Sequence, residues 1–531
     1  MVIDPEVYRL INKRKDDPIF MDFLLNHYSQ IVDSKEGMDK ICYAQEIARV
    51  LARFAIQERV LAEHSDHPID EEKYNRYYRT ALYIIRKGID IGMKMDYEAN
   101  VIGGKPLNVS YNYHMGWAYV QYSMILAENY RYFAAMGAIV TAENYLVNDI
   151  YKIKAGNRLQ GAIDLIKSLP DYDASTHGPL TDLTPEQADR RILHLFDSLG
   201  EAVNEKKLRI LDEVYKKVPD KYRFMYAVCI DGLLDYFKKR NEKDFLKNYG
   251  KVVLDIQEEF PEIPKKFLDL PDLSQKNLAH DETQEEKNYA LWIDGCHLFL
   301  SYLDFVPDIE KRLRYECDDL VFDFQIPDLN NIMEDVVETY SHCRFQFYMA
   351  TQFNSPIEKL AYSFSPFNKR IYNQELLLDT YPRLYSILDK ISHIVMKICD
   401  ITIMPNDDGY TPQPSYNLIV QEIRKNSNGN PYLLTLCEIF DEINPRYIYR
   451  TQKDVPFYTM LPGAEHMDRI RHHIIHSGIM LDADRKVKKS NKIVCHISGT
   501  DFAMRCLNLI TLVKEAIMNT CMAIEYRNRQ E

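Results

Sequence analysis

Apolar residues recur three and four positions apart over most of this chain, and that spacing leaves little room for anything but helices. It runs through 36–63 (EGMDKICYAQEIARVLARFAIQERVLAE), 70–95, 111–150, 190–217 and 222–240. Strand-like alternation is nearly absent, and 491–498 (NKIVCHIS) is the one short extended piece. The expected fold class is therefore all-α. At 531 residues the chain is too long for one typical domain. Its 46% hydrophobic content is enough for a large core without a disulfide or metal staple.

The first half reads as helix pairs. The stretch YNYHMGWAYVQYSMILAENYRYFAAMGAIVTAENYLVNDI (111–150) places Gly116, Tyr119, Tyr132, Ala135 and Ala138 at the spacing of stacked helical hairpins. In this it resembles tetratricopeptide repeats, without a clean 34-residue self-similarity. A TPR-like array and an irregular helical bundle both fit. The loop LPDYDASTHGPLTDLTPEQ (169–187) lies within this half, and FPEIPKKFLDLPDLSQKNLAHDETQEEK (260–287) closes it. The expected domains are 1–287 and 288–531. Helices are expected near 331–352, 374–399, 432–442, 464–477 and 500–527, with Pro382 starting or kinking the second. The last carries the stripe Phe502, Cys506, Leu509, Val513, Ile517 and Ile524, with Thr500 and Asp501 at its N-cap. Loops at 404–417 and 425–432 surround a short helix and read as insertions within 401–460.

A net charge of −13 disfavours a generic nucleic-acid coat protein, but not a local basic pocket. The ten cysteines are scattered singly with no CxxC pair, as expected of reduced, packed thiols. The N-terminal MVIDPEVYRLINKRKDD has no apolar signal region, and no run approaches 18 apolar residues. A cytoplasmic protein without a membrane span is the expectation.

Several short segments invite a chemical reading. IGGKPL (102–107) lacks the first glycine of a phosphate loop and has Pro106 where Ser or Thr would hold magnesium, so it reads as a turn. EHSDHP (63–68) places His64 and His67 beside Glu63 and Asp66, and reads as a solvated helix end. Cys495 and His496 have no second ligand pair at finger spacing.

DRIRHHIIHSG (468–478) is richer. With His466 it holds four of the chain's 15 histidines. Leu461-Pro462-Gly463 precedes it and Ser477-Gly478 follows, with Gly the usual residue just past a helix end, so a short helix with His476 in its last turn is expected. At 100° per residue His472 and His476 share a face beside Arg471, while Ile470, Ile474 and Ile475 point to the core. The helix C-terminus favours a protonated imidazole. A metal site built from His466, His472, His473 and His476 is one reading, although HHIIH lacks the glutamate of HExxH. Metal-free cleavage of an RNA phosphodiester is another. There a histidine moves the proton and an arginine stabilises charge on the phosphorane. A basic helix end without chemistry is the third.

Arg471-His472-x3-His476 resembles the Arg-(polar)-x3-His motif of HEPN domains, all-helical domains of which many are metal-independent endoribonucleases. The blocks NYALWIDGCHLFLSYLDF (288–305), ETYSHCRFQFYMATQ (338–352), YSILDKISHIV (385–395) and VCHISGTDFAMRCLNLITLVKEAIMNTCMAIE (494–525) are similar to one HEPN subfamily with TPR-like repeats ahead of the nuclease. The resemblance implies a helical-repeat half followed by a HEPN bundle of four or five helices. It implies a toxin or antiviral effector that cuts RNA to 2′,3′-cyclic phosphate and 5′-hydroxyl ends without a cofactor. Arg471, His472 and His476 would act. The partners implied are RNA, a second copy of the chain through the HEPN domain, and a regulatory protein or ligand at the N-terminal half. A non-catalytic RNA-binding scaffold stays open. Tyr385, Asp389 and Lys390 match a recurring Tyr…Asp-Lys of the family's preceding helix, as catalytic support or as packing and a salt bridge. Arg485, Lys486, Lys488 and Lys489, with Lys492, form a basic loop suited to RNA phosphates or to a solvated hairpin. Gly478 stands where partner-neutralised HEPN toxins have tyrosine, so that control is not implied.

Overall fold

A computed structural model describes residues 10–11, 13–63, 71–100, 109–152, 163–167, 169, 184–239, 256, 258–260, 283–302, 304, 318, 320, 322, 324–352, 372–398, 401, 415–426, 429–443, 462–482, 490 and 494–528. The fold is all-α but for one short pair of strands among these residues. The chain divides into two compact units. One is Met1–Lys216 with Tyr226–Pro261 and Pro456–Leu461; the other is Lys217–Met225 with Glu262–Val455 and Pro462–Glu531.

The first unit holds α1 (Pro18–Asp33), α2 (Gly37–Glu63), α3 (Glu71–Asn100), α4 (Val109–Ala127), α5 (Tyr132–Lys152), α6 (Pro185–Tyr215) and most of α7 (Asp220–Lys239). The 111–150 stretch is the α4–α5 pair. Its turn is closed by the Arg131 amide on the Leu126 carbonyl, with Tyr130 in the left-handed region. Small residues let the helices approach. A side chain at Gly92 would lie 2.2 Å from Met115 Sδ, and one at Gly116 2.8 Å from Leu199 Cδ2.

The second unit is built around one helix. It contains α8 (Gln284–Gly295), α9 (Pro327–Thr351), α10 (Tyr372–Ile398), α11 (Tyr416–Asn426), α12 (Pro431–Ile443), α13 (Pro462–His476), β1 (Gly478–Asp482), β2 (Val494–Ser498) and α14 (Gly499–Asn528). Every residue of α14 from Leu512 to Ile524 is buried, so the expected stripe widens to a full circumference. α9, α10 and α12 pack around it. By length and composition α14 would pass for a membrane span, yet 83% of its most apolar window is buried inside the protein. A helix buried all round, mostly apolar, is what the centre of a bundle requires.

Two buried cations pin the segment after α8 to this core. Arg344 of α9 donates to both carboxylate oxygens of Asp318 at 2.8 Å and to the Leu298 carbonyl at 2.8 Å. Asp318 also accepts from the Leu300 amide and the Ser341 hydroxyl. Burial raises the Asp318 pKa, but the Arg344 guanidinium outweighs it and holds the carboxyl below its usual range. Lys514 of α14 donates to the His297 carbonyl at 2.8 Å and pairs with Asp304. The side chains of Lys514 and Asp304 are 2% and 1% exposed. Burial pushes the Asp304 carboxyl up and the Lys514 amine down.

Two local expectations are corrected. α10 continues through Pro382 rather than starting there, at the loss of the hydrogen bond to the Leu378 carbonyl. α14 is capped by Ser498, whose hydroxyl accepts from the Asp501 amide at 2.9 Å. α13 ends at His476, as expected, and Gly478 just beyond it opens β1, a strand the sequence did not suggest. β1 pairs in parallel with β2, Gly478 beside Val494 and Asp482 beside Ser498. The segments 102–107 and 64–68 lie outside the described residues.

Substituting Arg344→Ala strands Asp318 as a buried, unpaired charge. The expected loss is about 3–5 kcal/mol in chemical denaturation of the second unit. The double variant Arg344→Met/Asp318→Leu is expected to recover part of it, since the Leu300 amide still loses its acceptor. The pair's contribution is full above about pH 4, the carboxyl's unfolded value. It fades as the pH falls through the lower folded value.

Candidate active site

α13 begins with Pro462 at its first position, where the missing amide costs nothing. Met467, Ile470 and His473 form its buried face, which packs on α10 and α12. His473 is only 4% exposed and faces inward, whereas His472 and His476 are exposed. Their rings lie side by side with centroids 5.1 Å apart. Ile475 is 48% exposed, against the expectation that it joins the core. The reason is angular: with Ile470 and His473 filling the inward arc, position 475 lies on the outer side with His472.

Three residues of α10, spaced four apart, back the motif helix. The Tyr381 hydroxyl donates to the Met467 carbonyl at 3.4 Å. The half-buried Arg471 guanidinium stacks over the Tyr385 ring, 4.9 Å from its centroid. The Asp389 carboxylate lies within electrostatic reach of Arg471 and accepts from the Tyr416 amide at the start of α11. Its Oδ1 is buried without a hydrogen-bond partner among the described residues. Burial raises the Asp389 pKa; Arg471, the Tyr416 amide and His393 only partly offset this. The structure thus brings Tyr385 and Asp389 to Arg471. Lys390 is engaged elsewhere, with Asp335 at 2.5 Å and Thr339 at 3.3 Å on α9.

Arg485, Lys486, Lys488, Lys489 and Lys492 lie outside the described residues, as does the side chain of His466. Among the described residues no group of three or more His, Cys, Asp or Glu is placed to hold a metal ion. The bare Arg-x4-His spacing also occurs at Arg59 and His64, but Val60 follows that arginine, and Arg59 is bound to Glu128. Tyr381 and the Tyr416 amide were not foreseen. The four-residue spacing Tyr381, Tyr385, Asp389 is the signal that points to the first.

Chemically, the arrangement offers a fixed guanidinium and two solvent-facing imidazoles on one turn of helix. Such a set can neutralise an anion and move a proton.

Residues 320–527 match the family described as LA2681-like HEPN. The chain therefore carries a HEPN domain at its C-terminal end, within an all-α fold. No curated protein and no solved structure matches the chain. The family match starts after α8, so the segment clamped by Arg344 and Lys514 lies outside it up to residue 319.

Asp389→Asn keeps the shape while removing the buried charge. Because the folded pKa of Asp389 is raised, its ionised form destabilises the fold. The variant is expected to melt at a higher temperature than the parent at pH 8. That gap should close as the pH falls below about 4, where the parent's carboxyl is protonated in both states.

Proposed function

We propose that this chain is a metal-independent endoribonuclease. The observation that carries the reading is Arg471, held against Tyr385 beside the exposed His472 and His476, in a domain found to be HEPN. His476 acts as general acid and base. As base it takes the proton of a ribose 2′-hydroxyl. The 2′-oxygen bonds to phosphorus, the bond to the 5′-oxygen breaks, and that oxygen leaves with a proton. The products are a 2′,3′-cyclic phosphate and a 5′-hydroxyl. Arg471 stabilises the charge that grows on the phosphorane oxygens. His472 positions the phosphate.

A second copy completes the reading. Ile475 at 48% and Met480 at 41% exposure place apolar surface beside the two histidines. We assign this face to a homodimer contact that closes the site around RNA. The basic loop at Arg485, Lys486, Lys488 and Lys489 guides RNA phosphates. The N-terminal hairpins form a TPR-like array that senses a regulatory protein or ligand. The setting is a cytoplasmic toxin or antiviral defence effector.

The deciding assay is cleavage of mixed RNA in EDTA. Parent protein should cut, and Arg471→Ala and His476→Ala should each lose about 10²–10⁴-fold. Binding without cutting by the parent would favour a non-catalytic RNA scaffold, and chelator-sensitive cutting would revive a metal reading. By light scattering, Ile475→Glu is expected to shift the parent's dimer toward monomer.

A further inference from the structure

The strand pair that leaves the motif helix carries a second, separate imidazole held in a defined pose. His496 Nδ1 lies 3.0 Å from Asp482 Oδ2. Their side chains are 14% and 13% exposed. The backbone of His496 is gripped as well. Its amide donates to Ser490 Oγ at 2.8 Å, and that hydroxyl donates back to the His496 carbonyl at 3.1 Å. Strand alternation puts Met480, Asp482 and His496 on one face, while Ile479 and Cys495 are buried on the other. Both ends of the ribbon are anchored. Only Ser477 separates His476 from β1, and β2 runs directly into the central helix α14. The Asp482 carboxylate fixes the ring and leaves Nε2 as the nitrogen with no hydrogen bond among the described residues. A neutral ring offers Nε2 as an acceptor to a ribose 2′-hydroxyl. A protonated ring donates from it to a phosphate oxygen.

We propose that His496, oriented by Asp482, is a second RNA-contact residue. Its Nε2 holds a ribose-phosphate group of the strand beyond the linkage that Arg471 and His476 cut. This rests on the endoribonuclease reading and extends it to substrate positioning. His496 lies two residues along the ribbon from the position beside Gly478. At about 3.3 Å of rise per residue that displaces it along the bound strand, away from the reacting phosphate. A rigid imidazole whose Nε2 has no hydrogen bond among the described residues, on the ribbon issuing from the motif helix, is a preorganised contact.

The competing role is a latch that merely joins β1 to β2, and His496→Asn separates the two. Asparagine keeps a donor near the Nδ1 position for Asp482 but has no atom at Nε2. With the full-length chain and an oligoribonucleotide in EDTA, the expected result is a KM raised about tenfold, with kcat within about twofold. His496→Gln, which reaches toward the Nε2 position, should recover part of that loss. A KM unchanged in His496→Asn, while the parent cuts RNA normally, overturns the proposal and leaves the endoribonuclease reading intact. A parent that neither binds nor cuts RNA overturns both. If the variants do not fold, modification of His496 by diethyl pyrocarbonate in the parent, read by mass spectrometry, decides. Slowing by saturating RNA supports the contact, and an unchanged rate sinks it.

Discussion

Two buried cations hold the second unit together, and the rest of its architecture depends on them. Arg344 and Lys514 reach from α9 and α14 into the same short segment after α8, where they bind two carboxylates and two backbone carbonyls. That segment turns sharply, with His297 in the left-handed region, and its described residues form no helix or strand that would satisfy their polar groups. Buried backbone carbonyls require partners. The cations supply them, and the carboxylates balance the cations. A buried ion pair gives little net stability over an apolar substitute, but losing one partner is severe. The arrangement therefore specifies a unique packing of α8, α9 and α14 more than it adds stability.

α10 connects this core to the site. It packs on α9, α11, α13 and α14. Its inner residues at Tyr381, Tyr385 and Asp389 face the motif helix at intervals of one turn. The consequence is electrostatic. A guanidinium on a helix surface normally sweeps through several rotamers, whereas Arg471 is set against a ring and near a carboxylate. Asp389 bears the strain of this arrangement, since burial disfavours its charge and one oxygen goes unbonded. It also ties the first amide of α11, part of the inserted 401–460 region, to the same spot.

The site is built on exposure as much as on contact. α13 turns His473 inward and His472, Ile475 and His476 outward. β1 then carries the chain away with Met480 still facing solvent. Solvent-facing imidazoles and exposed apolar side chains therefore follow one another from α13 into β1.

The sequence alone determined the helices and the pairing of His472 with His476. Both follow from the period of the α-helix, which relates residues three and four apart and needs no knowledge of the fold. It placed the principal helices of the second half to within a few residues, because their apolar stripes are long and their ends carry Pro or capping residues. It did not determine what stands behind Arg471, which ion pairs join the blocks, or that Gly478 starts a strand. Those depend on partners far apart in the chain: Asp318 lies 26 residues from Arg344, and Asp304 lies 210 from Lys514. Parallel pairing of β1 with β2 likewise needs a crossover whose closure no local pattern announces. Ile475 shows the limit most plainly. Its apolar side chain suggested the core, but a helix has one buried face, and the tertiary structure gave that face to Met467, Ile470 and His473.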